Sequence, residues 1–293
     1  MEKTALTVPV KIKNLNLGEG IPAVCVPLTA PDPALLSSQA AGAVLAGADL
    51  VEWRADFIPF LNPEMIPAIL TELTGTLAGR IPLLFTVRTQ AEGGEFQGDF
   101  TAYRACNLAA AAAGQADLID IEALSRDAGP AGPGCTQDVM ADSGHKGYDP
   151  ETDPANPPFL TVPAEKRELI KAVQSYGVKV IASSHDFGKT DPAPMLMEKL
   201  RLLMESGADI VKLAVMPVRP GDPQVLMDTV QEARQTFLDR PVIAMSMGEP
   251  GRPTRILGER FGSCVTFGTA GAASAPGQIP VKELREAMSK ARL

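Results

Sequence analysis

Lys212 stands in the run Ile210-Val211-Lys212-Leu213-Ala214-Val215-Met216, where every neighbour is apolar. An ammonium packs poorly in such a strand, because burial penalises the charged form of an amine, and the neutral amine is a nucleophile for carbonyl carbons. The competing reading is an ion pair buried with Glu52 or Asp120. His185, one of two histidines, closes another apolar run in Ser183-Ser184-His185-Asp186-Phe187. Alone it reads as a packed core residue. Beside an amine joined to a carbonyl carbon it is a base suited to a proton on the adjacent carbon. The other histidine, His145, has no sequence context that recommends it.

More polar side chains gather at the ends of short β-branched runs. Glu52, Arg54 and Asp56 alternate in one, Arg88 and then Glu92 follow a second, and Asp120 and Glu122 end a third. Ser274 and Gln278 follow the last run. Of Arg252, Arg255 and Arg260, one is expected to face the same place as a carboxylate clamp. Gly93 and Gly94, after Glu92, permit a positive φ or a close backbone approach. Trp53 lies between Glu52 and Arg54, so alternation turns it the other way, beneath helices. The sequence has no Walker-type loop, GxGxxG or HExxH motif, and its His and Cys spacing offers no ligand set. Neither a metal nor a cofactor is expected.

Eight runs must position these residues: 23–28, 49–57, 82–89, 117–122, 178–187, 209–217, 241–248 and 264–270. Helical stretches separate them, among them PALLSSQAAGAVLAG, FTAYRACNLAAAAAG and AEKRELIKAVQSYG, mostly ending near a glycine fit to cap a helix. Three runs open alike, as Ala48-Asp49, Ala116-Asp117 and Ala208-Asp209. Strands alternating with helices imply a parallel sheet, and eight units spaced by roughly 30 residues imply an α/β fold of the (β/α)8 TIM-barrel type. Active sites of such barrels form at the C-terminal ends of the strands, where these polar residues fall. A hairpin near Val8 to Leu17 is expected to close the bottom. The rhythm breaks over 125–159, rich in Gly, Pro and acidic residues, which reads as a loop inserted after the fourth strand on the catalytic face, a mobile excursion rather than a lid. One catalytic domain spans 1–293.

Composition narrows the class. Of 293 residues, 45% are hydrophobic and 21% charged, enough apolar material for a substantial core. Thirty-five acidic against 27 basic residues give a net charge of -8, the wrong sign for nucleic acid or an anionic membrane. Four scattered cysteines, at 25, 106, 135 and 264, read as reduced thiols of a cytoplasmic protein. Neither a secretion signal nor a membrane span is indicated.

Taken in order, KNLNLGEG, VEWRADF, LLFTVRTQAEGGEF, DLIDIE, SSHDF, ADIVKLAVMP, MSMG and FGSCVTFGTAGAASAPGQIP resemble type I 3-dehydroquinate dehydratases over nearly the whole chain. The resemblance implies a homodimeric shikimate-pathway lyase whose substrate is the carboxylate 3-dehydroquinate. It implies that Lys212 forms an imine with the C3 ketone and that His185, oriented by Glu92, removes a C2 proton and returns it to the departing C1 hydroxyl. It also implies that Arg255, Gln278 and Ser274 hold the carboxylate side, that Glu52, Arg54 and Arg88 address the hydroxyls, and that Met247 packs on the ring. Two departures stand out: Pro27, where some members have a serine that could bond a substrate hydroxyl, and the 125–159 insertion. A class I aldolase would use the same lysine on the same fold, but the last strands offer Arg255 and Ser274-Ala275-Pro276-Gly277-Gln278, better suited to a carboxylate than to a phosphate.

Overall fold

The computed structural model describes residues 7–126, 160–271 and 274–292. Eight parallel strands follow in turn: β1 Ala23–Leu28, β2 Leu50–Arg54, β3 Leu83–Thr86, β4 Leu118–Glu122, β5 Lys179–Asp186, β6 Ile210–Val215, β7 Val242–Ser246 and β8 Val265–Thr269. Each lies within one of the runs marked in the sequence. Consecutive strands pair from β1 to β7, and β8 pairs with β1. The ring closes where the Cys264 amide donates to the Val242 carbonyl at 2.8 Å.

Helices cover the outside: α1 Pro33–Ala46, α2 Ile66–Thr76, α3 Phe100–Ala113, α4 Ala164–Gln174, α5 Ala193–Glu205, α6 Asp222–Thr236, the short α7 Arg252–Ile256, and α8 Val281–Arg292. Local sequence sets their ends. Asp32 and Asp99 cap α1 and α3 by accepting the amides of Leu35 and Ala102, and Gly47 and Gly114 stop the same helices in the left-handed region.

Alternation along the strands separates two cores. One set of side chains, including Val51, Trp53, Phe85, Ile119, Val211 and Leu213, packs outward under Leu36, Leu70 and Leu200 of the helices. Trp53 is wholly buried there, edge-on to Phe85 at 5.3 Å between ring centres. The inward set begins with an aliphatic layer of Leu50, Leu84, Leu118, Ile181, Ile210, Ile243 and Val265. Two residues further along each strand stand Glu52, Thr86, Asp120, Ser183, Lys212, Met245 and Phe267. The pleat thus lifts the chemistry above an apolar floor.

Beneath that floor, Val10–Ile12 pairs antiparallel with Leu15–Leu17, and Ile12 and Leu17 pack into the interior cluster. Lys13 reaches Asp117 at 2.8 Å, at the start of β4, so the hairpin lies at the N-terminal mouth. There the repeated aspartates show their purpose: Asp49 accepts the amide of Val24, Asp117 that of Leu83 and Asp209 that of Val180. Ser263, just before β8, accepts the amide of Ala244 in the same way.

After β4 the segment Ser125–Arg126 pairs antiparallel with Leu160–Thr161. The expected insertion, with His145 and Cys135, lies outside the described residues except at Ser125 and Arg126. Cys25, Cys106 and Cys264 are buried free thiols. Among the described residues no helix is long and apolar enough to cross a membrane.

Candidate active site

The C-terminal ends of the strands surround a pocket of about 580 Å³, counting its open mouth. All ten residues expected from the sequence line it: Lys212, His185 and Glu92; Glu52, Arg54 and Arg88; and Met247, Arg255, Ser274 and Gln278.

Lys212 is 4% exposed, with its Nζ 5.0 Å from the centre of the Phe267 ring. The ion pair weighed in the sequence is present, because Nζ donates to Asp120 Oδ2 at 2.9 Å. Asp120 in turn accepts from Arg88 Nη2 at 2.9 Å and from the Ser183 hydroxyl at 2.5 Å. Burial alone would raise the Asp120 pKa. The charges of Arg88 and Lys212 outweigh it and hold this carboxyl well below the usual range, a fixed negative charge beside the amine. Arg88 also bonds Glu122 at 3.0 Å and Ser183 at 3.2 Å, so its guanidinium is largely committed to protein partners.

His185 presents Nδ1 to Glu92 Oε2 at 2.8 Å. The same oxygen accepts the His185 backbone amide at 3.1 Å, which marks it as an acceptor. With Glu92 ionised, Nδ1 carries the ring proton and Nε2 keeps a lone pair. Burial first, then the charges of Arg88 and Lys212, hold the imidazole well below its ordinary 6.5. It is neutral at neutral pH, as a general base requires. Burial and the charge of Glu122 push Glu92 upward, against the pull of Arg88.

Glu92 reaches His185 because two glycines let its turn fold tightly. Gly93 has φ +79°, and a Cβ there would lie 2.3 Å from the Phe187 ring. A Cβ on Gly94 would lie 2.1 Å from the Arg88 carbonyl oxygen, so both freedoms read from the sequence are used.

Arg255 stands on the far side, 1% exposed. It donates to the carbonyls of Phe267 and Pro276 at 3.4 and 3.1 Å, while its Nε has no partner among the described residues. No carboxylate of the described residues faces it, and burial lowers its pKa to about 10. An unpaired buried guanidinium in a pocket wall is a receptor for an anion. Next to it Ser274 and Gln278 bond each other twice, the Ser274 amide to Oε1 and the Gln278 amide group to the Ser274 hydroxyl, both at 2.9 Å. Glu52 accepts the Thr86 hydroxyl at 2.8 Å. Among the described residues no group of three or more His, Cys, Asp or Glu side chains is placed to hold a metal ion.

The sequence profile of type I 3-dehydroquinase matches residues 24–129 and 160–292. The chain belongs to the type I 3-dehydroquinase family. It is 37% identical to the 3-dehydroquinate dehydratase of Klebsiella pneumoniae over 97% of this chain and 98% of that one. It is 36% identical to the enzyme of the same name from Bacillus licheniformis, covering 94% and 95%. The crystal structure of the Geobacillus kaustophilus 3-dehydroquinate dehydratase superposes with a TM-score of 0.81 at 29% identity, covering 99% and 98%. The Clostridium difficile type I enzyme superposes with 0.79 at 33% identity, covering 98% of each chain. The match of this type I 3-dehydroquinase to its family profile skips 130–159, most of the interval read as an insertion.

Among the neighbours that the sequence reading of this 3-dehydroquinase left without a role are Phe187, Phe267 and Ser183. Phe187 and Phe267 line the pocket, and Ser183 bonds Asp120, which the sequence had offered as a partner of Lys212. Period-two spacing carried the signal for all three, since Ser183 and Phe187 flank His185 at two residues and Phe267 sits two beyond Val265.

Proposed function

We propose that the protein dehydrates 3-dehydroquinate to 3-dehydroshikimate by syn elimination through a lysine imine. The observation that carries this reading is a buried lysine and an imidazole bonded through Nδ1 to Glu92, lining one pocket and faced by an unpaired guanidinium. The substrate carboxylate would bind Arg255, with Gln278 and Ser274 beside it. Glu52, Arg54 and Arg88 would meet the ring hydroxyls, and Met247 would pack on the ring.

Nζ of Lys212, having released a proton, attacks the C3 ketone, and loss of water leaves an iminium. Nε2 of His185 takes a C2 proton, and the electrons of that bond form a neutral enamine. The enamine expels the C1 hydroxyl, which leaves as water with the proton returned by His185. A further water hydrolyses the conjugated iminium, freeing product and Lys212. Asp120 remains anionic beside the nitrogen, the charge partner of both ammonium and iminium. The protein is read as a single catalytic domain working as a cytoplasmic homodimer, which light scattering checks against the 30.9 kDa chain.

Borohydride added with 3-dehydroquinate tests the reading. A reduced adduct on Lys212, none in Lys212→Ala, and growth of enone absorbance in the absence of reductant are expected. An adduct on another residue, or no enone, overturns it.

A further inference from the structure

Asp56 does not line the pocket, yet four hydrogen bonds converge on its wholly buried carboxylate. The single helical turn Ala55–Phe57 after β2 brings it back toward β3. Its Oδ1 accepts Arg54 Nε at 2.8 Å and the Arg88 amide at 3.2 Å. Its Oδ2 accepts Arg54 Nη2 at 2.7 Å and the Glu95 amide at 3.1 Å. Arg88 and Glu95 bracket the turn that carries Glu92, so one side chain fastens both ends of that turn. The same side chain holds Arg54 in a bidentate grip.

We infer that Asp56 is a positioning residue that fixes the Glu92 turn and the Arg54 guanidinium against each other, so that the acid–base side and the substrate-binding side of the pocket keep one register. This rests on the roles proposed above for Glu92, His185 and Arg54. A carboxylate is required. It offers acceptor sites on both oxygens, whereas an amide turns one of them into a donor facing the Arg54 guanidinium and a backbone N–H. Releasing the turn by about 1 Å is enough to cost on the order of 100-fold in rate.

The test is a pair of double-mutant cycles. Asp56→Asn should lower kcat by roughly 10- to 100-fold. In a Glu92→Gln background the further loss from Asp56→Asn should shrink to about threefold or less, because the contact it served is already gone. In an Arg54→Lys background most of the loss should persist, since the turn is still released. An unchanged kcat in Asp56→Asn, or an equal loss in the Glu92→Gln and wild-type backgrounds, overturns the inference. Should Asp56→Asn fail to fold, hydrogen exchange on the wild-type protein decides: the Arg88 and Glu95 amides are expected to exchange as slowly as strand amides, and fast exchange refutes the fastening. A wild-type protein inactive on 3-dehydroquinate would sink the proposed function and leave the exchange result standing.

Discussion

Replacing Arg255 by methionine should make the empty protein slightly more stable and nearly abolish its use of a carboxylate substrate. Burial takes the guanidinium from 12.5 to about 10, which at 1.36 kcal/mol per pH unit is a charge-burial cost of roughly 3 kcal/mol. Its two carbonyl hydrogen bonds return about 1 kcal/mol each. A methionine of similar length would pack against Met245, whose sulfur lies 3.8 Å from Nη1. The balance favours the variant by about 1 kcal/mol, or roughly 2–4 °C in Tm for a chain of this size. Losing a buried charge pair with the ligand costs about 2–5 kcal/mol, so kcat/KM should fall by at least about 30-fold, mainly through KM. Urea unfolding and steady-state kinetics on the same preparations measure both. A variant clearly less stable than wild type with an unchanged KM would mean that the guanidinium is framework and that the anion binds elsewhere.

His185→Ala should still form a borohydride-trappable adduct while turnover drops at least about 100-fold, and near-normal turnover removes the residue from the proton transfers. Because the folded imidazole is held below 6.5, kcat/KM should stay level as pH falls through 6.5 and drop only below it, an acid limb that a pH–rate profile locates. By the same sign, the neutral buried imidazole contributes stability above pH 6.5 that is lost as the pH falls, because the unfolded chain takes up the proton first; His185→Ala should flatten that loss in urea titrations at successive pH values. Gly94→Ala places a methyl 2.1 Å from the Arg88 carbonyl oxygen and must displace the Glu92 turn, so kcat should fall by about 100-fold with the strands intact by circular dichroism; retained activity contradicts the role of the turn. Asp120→Ala leaves Lys212 without its partner and Arg88 with one fewer, and unfolding should be easier by about 3–5 kcal/mol, with a loss under 1 kcal/mol counting against the network.

The strands were legible because each is a short β-branched run bounded by turn residues, and the site was legible because a TIM barrel gathers its polar strand ends at one mouth. Lys212 declared itself by standing alone in an apolar run. Its partner did not, since Glu52 and Asp120 are both inward-facing carboxylates and only the register of β4, β5 and β6 brings Asp120, bonded to Ser183, to the amine. The contacts of Asp56 were hidden for the same reason, reaching 32 and 39 residues along the chain to two backbone amides that no side-chain pattern encodes. Arg255 could be placed among three arginines but not singled out, because its lack of a carboxylate partner is a property of the folded pocket.

The side chains that open β2, β4, β6 and β8 each accept an amide from the strand just before, never from the strand after. At its N-terminal mouth the barrel is therefore stitched as four couples, with a strand-opening side chain tied to an amide inside each couple and, among the described residues, no stitch of this kind between them. A break in the chain between couples leaves every stitch on one fragment, whereas a break between β3 and β4 severs the Asp117 stitch to Leu83. The stretch 130–159 enters after β4, at the joint between the second and third couples. Extra sequence can accumulate there without coming between two stitched partners, and the same joint is where this barrel could be divided into halves that each keep their own seams.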